Sequence, residues 1–177
     1  DKPVWSEAIV LKRGTDTAVA FQVIGLSCLR HLASNEEAVR KRDGEGIHQM
    51  RVGLRRLRAV ISIFKDILQD RQSQHIKAEL KWLTEQLAPA RDYDVFLGDS
   101  VEPMREAQPQ HGQLAALHSA LLKERAAGFT MARDAVVSER YRRLTLRTAL
   151  WLADGDWCRY RDSVRRCRRA RPAKDLA

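Results

Sequence analysis

The sequence HQMRVGLRRLR at residues 48–58, which continues as AVISIFKDIL to Leu68, decides how this chain folds. Apart from Gly53, no residue between Ile47 and Leu68 disfavours a helix, so the stretch predicts one continuous helix of about six turns. At about 100° per residue, its large apolar side chains fall on one side. The residues of this apolar stripe are Met50, Leu57, Val60, Ile61, Phe64 and Leu68.

A different side of the same helix carries a row of cations within roughly 80° of one another. The row consists of His48, Arg51, Arg55 and Arg58, whereas Arg56 points elsewhere. Arginines one helical turn apart repel each other, and no glutamate interrupts this face. One interpretation is a solvated face whose cations pair with acids on neighbouring helices. The other is an anion site, because guanidinium groups bind phosphate oxygens at two points, and the spacing suits repeated phosphates.

A second helix is predicted from about Gln74 to Leu87, with Leu80, Leu83 and Leu87 as its apolar stripe. One other face of this helix is polar and mostly basic. It carries Lys77, Lys81, Thr84 and, if the helix continues past Pro89, Arg91. Antiparallel packing on the first helix would bring two basic rows to one groove. Asp92 and Asp94 are expected to cap or neutralise arginines, while residues 93 and 95–97 pack.

Two motifs in these helices resemble a known family. The first is His48-x-x-Arg51-Val-x-x-Arg55-Arg56-Leu-Arg58, preceded by the turn DGEG at residues 43–46. The second is LKWL at residues 80–83, followed by LAPARDYDV at residues 87–95. Together they resemble the signature of CHAD domains, the conserved-histidine α-helical domains.

The resemblance implies an all-α helical bundle that binds inorganic polyphosphate in a basic channel and is often fused to a CYTH-type domain. It implies phosphate-binding roles for His48, Arg51, Arg55, Arg58, Lys81 and Arg91, with Arg56, Lys77 and Arg125 as secondary candidates. His48 would donate a hydrogen bond and gain charge as the pH falls. No catalytic residue, metal ligand or cofactor is predicted.

The composition fits a polyanion-binding helical protein. The 177 residues include 32 Lys and Arg against 23 Asp and Glu, a formal net charge of +9. That excess favours polyphosphate, nucleic acid or an anionic membrane without choosing among them. No apolar run approaches the 18 or so residues of a membrane span, and no signal peptide is visible, so a bacterial-type cytoplasm is expected. Three cysteines without CxxC spacing are interpreted as free thiols.

The rest of the chain predicts further helices in an antiparallel bundle of about four long helices and some short ones. The predicted elements are a lead-in at 1–14, a helix from Thr15 or Asp16 to about Ala33, a short helix containing Glu36 and Glu37, a loop or broken helix at 98–112, helices at about 113–138 and 139–153, and a basic tail from Trp157 whose last residues are 172–177. Residues 1–177 are expected to form one domain.

CHAD domains consist of two similar helical halves that face each other across the channel, and the motifs appear once in this chain. The chain therefore resembles the first half. Either the second half lies outside this sequence, or it is disordered, or two copies pair to rebuild the channel. Three functions follow as hypotheses. The first is a non-catalytic polyphosphate-binding module, in the cytoplasm or at polyphosphate granules. The second, a nucleic-acid binder, lacks exposed aromatics in the signature row. The third is an accessory domain of a triphosphatase-type phosphohydrolase, whose activity would belong to a fused domain.

Overall fold

The computed structural model describes residues 2–68 and 70–157 of the chain. In these residues every regular element is helical, which confirms the all-α class. The helices are α1 (Thr17–Ser34), α2 (Glu36–Arg40), α3 (Gly44–Ile63), α4 (Arg71–Phe96), α5 (Glu102–Ala107), α6 (Gly112–Val137) and α7 (Glu139–Asp154). No helix of the described residues is both long and apolar enough to cross a membrane.

Helices α1 and α3 cross at very close range. A Cβ atom added to Gly53 would lie 2.9 Å from the backbone nitrogen of Leu32 and 3.3 Å from the carbonyl oxygen of Cys28. Both neighbours belong to the α1 backbone, so they cannot turn aside as a side chain can. From the sequence alone, Gly53 is expected only to weaken the helix slightly. The structure shows that its missing side chain permits the close approach of the α1 and α3 backbones.

The predicted apolar stripe of α3 faces the core, since Met50, Leu57 and Ile61 are fully buried. The predicted end of the helix at Leu68 is wrong. α3 stops at Ile63, and a single tight turn covers Lys65–Ile67. The ring of Phe64 packs 5.5 Å from that of Phe21, and Leu68 is 3% exposed. The ring contact of Phe64 and the burial of Leu68 turn the chain toward the core, so that α4 can begin at Arg71 and run back along α3.

Helix α4 is much longer than the predicted 74–87, because it continues through Pro89 to Phe96. A proline inside a helix removes one hydrogen bond and costs about 3 kcal/mol in isolation. Packing against α6 offsets that cost. A Cβ atom added to Gly128 would lie 2.7 Å from the backbone nitrogen of Ala90, so the two helices touch where the proline sits. The continuation keeps Arg91 and Asp92 on the helix.

Residues 97–112 form the broken helix that the sequence predicts. A wide helical turn covers Leu97–Val101, and α5 follows directly. α6 and α7 match their predicted bounds within a residue or two. Two leucines in the first half of α6 are largely exposed, with Leu117 46% and Leu122 43% accessible. The indole nitrogen of Trp157 donates to the carbonyl of Trp151 at 2.8 Å, and the basic tail beyond it lies outside the described residues.

The lead-in has no helix before Thr17, and it is tied to the bundle by one side-chain amide. Asn35 accepts a hydrogen bond from the Val4 N–H at 2.9 Å and donates one to the Val4 carbonyl, also at 2.9 Å. His31 lies beside this pair, with Nε2 3.1 Å from the same carbonyl. Burial lowers the pKa of His31 below its ordinary value, and the nearby charge of Arg56 lowers it further.

Candidate functional site

The groove between α3 and α4 is the candidate site. The two helices are antiparallel, because Arg51 faces Asp92 whereas Arg58, seven residues later, faces Thr84. An open cleft of about 800 Å³ lies between them. Its cationic lining consists of His48, Arg51, Arg55, Arg58 and Arg91. The sequence-predicted row is therefore brought together on one wall, with Arg91 on the other.

A second cleft, of about 640 Å³, continues the groove toward the loop between the helices. It shares Arg55 and Arg58 with the first cleft, so the two form one surface, which we call the basic groove. Lys77 and Lys81 line this end, as their helical phase predicts. Lys65 also lines it, although helical phase does not predict that position.

Arg55 and Arg58 are two arginines of the groove that the fold leaves without an acid. In the described part of the chain, no carboxylate lies within 4.0 Å of either guanidinium. Arg58 donates to the hydroxyl of Thr84 at 3.2 Å, and that hydroxyl donates in turn to the Leu80 carbonyl at 2.8 Å. Thr84 therefore orients Arg58 across the groove without neutralising it.

The arginines at the other end of the groove have acid partners. Arg51 lies 3.6 Å from Asp92, whose side chain is 68% exposed. Nη1 of Arg51 is buried and has no hydrogen-bond partner. Arg91 lies 3.5 Å from Asp94. The prediction that these aspartates neutralise arginines is confirmed, and it means that the row is only partly free.

His48 lines the first cleft and is half-buried. Among the described residues its ring has no hydrogen-bond partner. The nearby carboxylate of Glu45 is engaged elsewhere, because it accepts a hydrogen bond from the amide of Gln49 at 2.6 Å. The imidazole is therefore available to a ligand in the cleft.

Two secondary candidates lie away from the basic groove. Arg56 lies on the side of α3 that faces α1, where its charge acts on Cys28 and His31. Burial raises the pKa of the Cys28 thiol, and Arg56 partly offsets that rise. Arg125 pairs with Asp94 at 2.7 Å and stacks over the ring of Phe129, 4.6 Å from its centre. Its place is a structural ion pair between α4 and α6, and it does not line the groove.

The floor and rim of the groove are mixed. Val52, Leu54 and Val95 supply apolar surface, and Phe96 is 46% exposed at the rim. The prediction that Phe96 packs is therefore wrong, since α4 turns it outward at the point where the wide turn begins. Across residues 2–68 and 70–157, no three His, Cys, Asp or Glu side chains cluster in a way that could hold a metal ion.

Comparison with known proteins places this arrangement in a family. The family model described as the CHAD domain matches residues 24–177, which include α2, α3, α4 and the whole basic groove. The chain belongs to the CHAD domain family. This CHAD domain is also similar to the crystal structure of the CHAD domain from the plant Ricinus communis, with a TM-score of 0.75 and 29% sequence identity.

That alignment covers 98% of this chain and 63% of the plant chain, so this CHAD domain spans less than two thirds of the solved chain's length. No curated protein matches the chain. The family and the fold that the two motifs predict are therefore confirmed.

Sequence reasoning missed part of this CHAD site. Lys65 follows the end of α3, so its position depends on a turn that the helical phase does not describe. Asp99 and Ser100 line the cleft from the wide turn after α4, in a segment predicted as loop or broken helix. The signal that could have found Lys65 is the antiparallel register, which sets it opposite Lys77.

Proposed function

We propose that the basic groove binds inorganic polyphosphate without catalysing a reaction. The observation that carries the proposal is the pair Arg55 and Arg58. These guanidiniums lie one turn apart on α3, face one cleft, and have no carboxylate partner among the described residues. A fold that used them only for stability would place acids opposite them, as it does for Arg125.

The charge balance of the groove supports a polyanion. Seven Arg and Lys side chains line its two clefts, against two carboxylates. The cations are Arg51, Arg55, Arg58, Lys65, Lys77, Lys81 and Arg91, and the carboxylates are Asp92 and Asp99. Like charges this close together repel, so an anion that neutralises several at once gains binding free energy from each.

The shape of the groove favours a chain over a single ion. From His48 to Arg58 the wall extends about 15 Å along α3, and the lysines continue beyond it. A single phosphate can reach one or two of these cations, whereas a chain can contact all of them in succession. Long polyphosphate therefore binds more tightly than orthophosphate on this proposal.

The proposed role of His48 is to donate a hydrogen bond to a phosphate oxygen. Its helical neighbours in the row are arginines, which repel a metal cation and hold an anion in place instead. On this basis we propose that any phosphohydrolase activity belongs to a fused domain, such as one of the CYTH type. The proposed location is the cytoplasm or polyphosphate granules.

The direct test is the triple variant Arg51→Ala, Arg55→Ala, Arg58→Ala. Charge-assisted hydrogen bonds contribute about 1.5–3 kcal/mol each, so we expect the affinity for long-chain polyphosphate to fall roughly 100-fold or more. The matched control is Arg30→Ala, Arg133→Ala, Arg142→Ala, which removes three exposed arginines that do not line the groove. Equal affinities for the two triple variants, measured by calorimetry, would refute the proposal.

Nucleic acid is the second candidate, and Phe96 is the observation that favours it. An exposed aromatic ring at the rim of a basic groove can stack on a base. One ring is fewer than stacking platforms use, so polyphosphate remains our first choice. Competition at one fixed salt concentration separates the two: long-chain polyphosphate should displace single-stranded and duplex DNA, and Phe96→Ala should leave polyphosphate binding unchanged.

We further propose that the open side of the groove is covered when the whole channel forms. The plant CHAD chain is longer than this one, and either the remainder of a longer protein or a second copy could supply the facing wall. Light scattering with and without long-chain polyphosphate tests the second case. A doubling of mass on binding supports a homodimer, and a constant mass excludes it.

A further inference from the structure

A second arginine-lined cleft lies between α4 and α7, and the proposed function makes no use of it. It encloses about 340 Å³ and sits on the side of α4 that carries His75 and Glu79. Lys77 and Lys81 of the same helix line the basic groove instead, so the two clefts open on different faces of α4. Ile76 and Leu144, both buried, contribute apolar surface to the cleft.

Most arginines of α7 are already neutralised. Arg140 donates to both carboxylate oxygens of Glu79, at 2.7 and 2.9 Å, and stacks over the ring of Trp82. The hydrogen bond from Arg140 holds the pKa of Glu79 below its ordinary value. Arg142 and Arg143 both donate to Glu139 at 3.0 Å. These pairs fix α7 against α4 and leave the two glutamates little capacity for another cation.

Arg147 is the exception. Its Nη1 donates to Nε2 of His75 at 3.2 Å, and within residues 2–68 and 70–157 no carboxylate lies within 4.0 Å of it. The imidazole accepts this hydrogen bond through Nε2 and bears no negative charge, so it orients the guanidinium without cancelling its charge. Arg147 therefore keeps a full positive charge at the end of the cleft away from Glu139.

We infer that this cleft binds one phosphoryl dianion, held by Arg147 and His75. Arg143, one turn before Arg147 on the same face of α7, also lies within the lining but is paired with Glu139. The size of the ligand follows from the acids. Glu79 and Glu139 occupy the other arginines of the cleft, so only Arg147 is left for an anion and the site takes a single group rather than a chain passing through. Free orthophosphate and the end of a phosphate chain both carry that group.

The test reads the two sites separately in the wild-type chain. The NMR signals of the carbon-bound ring protons of His48 and His75 are assigned with the variants His48→Gln and His75→Gln. Their chemical shifts are then followed while orthophosphate or tripolyphosphate is added at fixed pH and salt. His75 reports this cleft and His48 reports the basic groove, so failure at one site is distinguished from failure at the other. We expect the His75 signal to move saturably.

The variant Arg147→Gln should weaken that response about tenfold or more, since it removes one charge-assisted contact. The matched control Arg142→Gln removes the same charge from the same helix outside the cleft, and should leave the response intact. Movement with orthophosphate identifies the free ion as a sufficient ligand, and movement with tripolyphosphate alone identifies a chain end. An unmoved His75 signal, or an equal response in Arg147→Gln, would overturn the inference.

Discussion

Helix α4 separates two rows of arginines that look alike in the sequence and differ in the structure. On one side, α3 presents Arg51, Arg55 and Arg58; on the other, α7 presents Arg140, Arg143 and Arg147. Both rows repeat at three- and four-residue intervals. Two of the three α7 arginines form close pairs with glutamates, whereas the acid nearest the α3 row is the exposed Asp92, 3.6 Å away.

Whether a row of arginines is paired or unpaired depends on which residues the facing helix places opposite it. Glu79 of α4 accepts two hydrogen bonds from Arg140, and this ion pair holds α4 and α7 together. At the corresponding place in the basic groove α4 presents Thr84, which orients Arg58 but leaves its charge intact. One residue on the facing helix therefore decides whether an arginine is paired with an acid or is left without one.

The largest expected effect is on the free energy of unfolding, and it comes from the close contact between α3 and α1. Gly53→Ala forces a Cβ atom against the α1 backbone, at a cost of about 3 kcal/mol, and the gain in helix propensity returns about 1. We expect a net destabilisation of about 2 kcal/mol by urea unfolding. Gly112→Ala is the control, because nothing lies within 4 Å of a Cβ atom there. Equal stabilities would show that the α3 row does not depend on this helix crossing.

The next change gives the groove an acid of the kind that α7 faces. Thr84→Glu places a carboxylate opposite Arg58, and we expect polyphosphate affinity to fall about tenfold, since one cation becomes paired. Thr84→Gln has nearly the same shape without the charge, and should retain most of the affinity. If both variants bind equally well in calorimetry, pairing with acids does not decide which row is available.

The reverse change removes the ion pair between Glu79 and Arg140, which connects α4 and α7. Glu79→Gln should lower the melting temperature at pH 7, because the doubly hydrogen-bonded partner of Arg140 is lost. The pKa of Glu79 is lowered in the folded state, so its contribution is present above its ordinary value of 4.5 and is lost as the pH falls through the lowered value. Wild type and variant should therefore converge in strong acid. The control Glu85→Gln, which removes an exposed and longer pair with Lys81, should have little effect at any pH.

The smallest effect comes from Asp92. Its ion pair with Arg51 is exposed and long, and such pairs are worth about 0–1 kcal/mol, so a phosphate can replace it at low cost. Asp92→Asn should tighten polyphosphate binding about two- to threefold at low salt, because the competing carboxylate is gone. Asp134→Asn, on the exposed face of α6, makes the same charge change elsewhere and should not tighten binding. A loss of affinity in Asp92→Asn would mean that Asp92 helps to shape the site.

Local patterns were sufficient to predict that these helices exist and to predict most of the cations that line the groove. Helical phase places His48, Arg51, Arg55 and Arg58 together, and the motifs identify the family before any packing is known. What the sequence could not supply depends on contacts between distant residues. The passage of α4 through Pro89 rests on α6, the end of α3 at Ile63 rests on the contact between Phe64 and Phe21, and the exclusion of Arg125 from the groove rests on Asp94.

We propose that the α3 row recognises a chain of phosphates rather than a single orthophosphate ion. The most direct measurement is competition for bound long-chain polyphosphate, with orthophosphate and unlabelled long chains compared at equal total phosphate and fixed salt. We expect the long chain to displace the label and orthophosphate to leave it bound, because only a chain contacts several cations at once. Equal displacement by orthophosphate would contradict it.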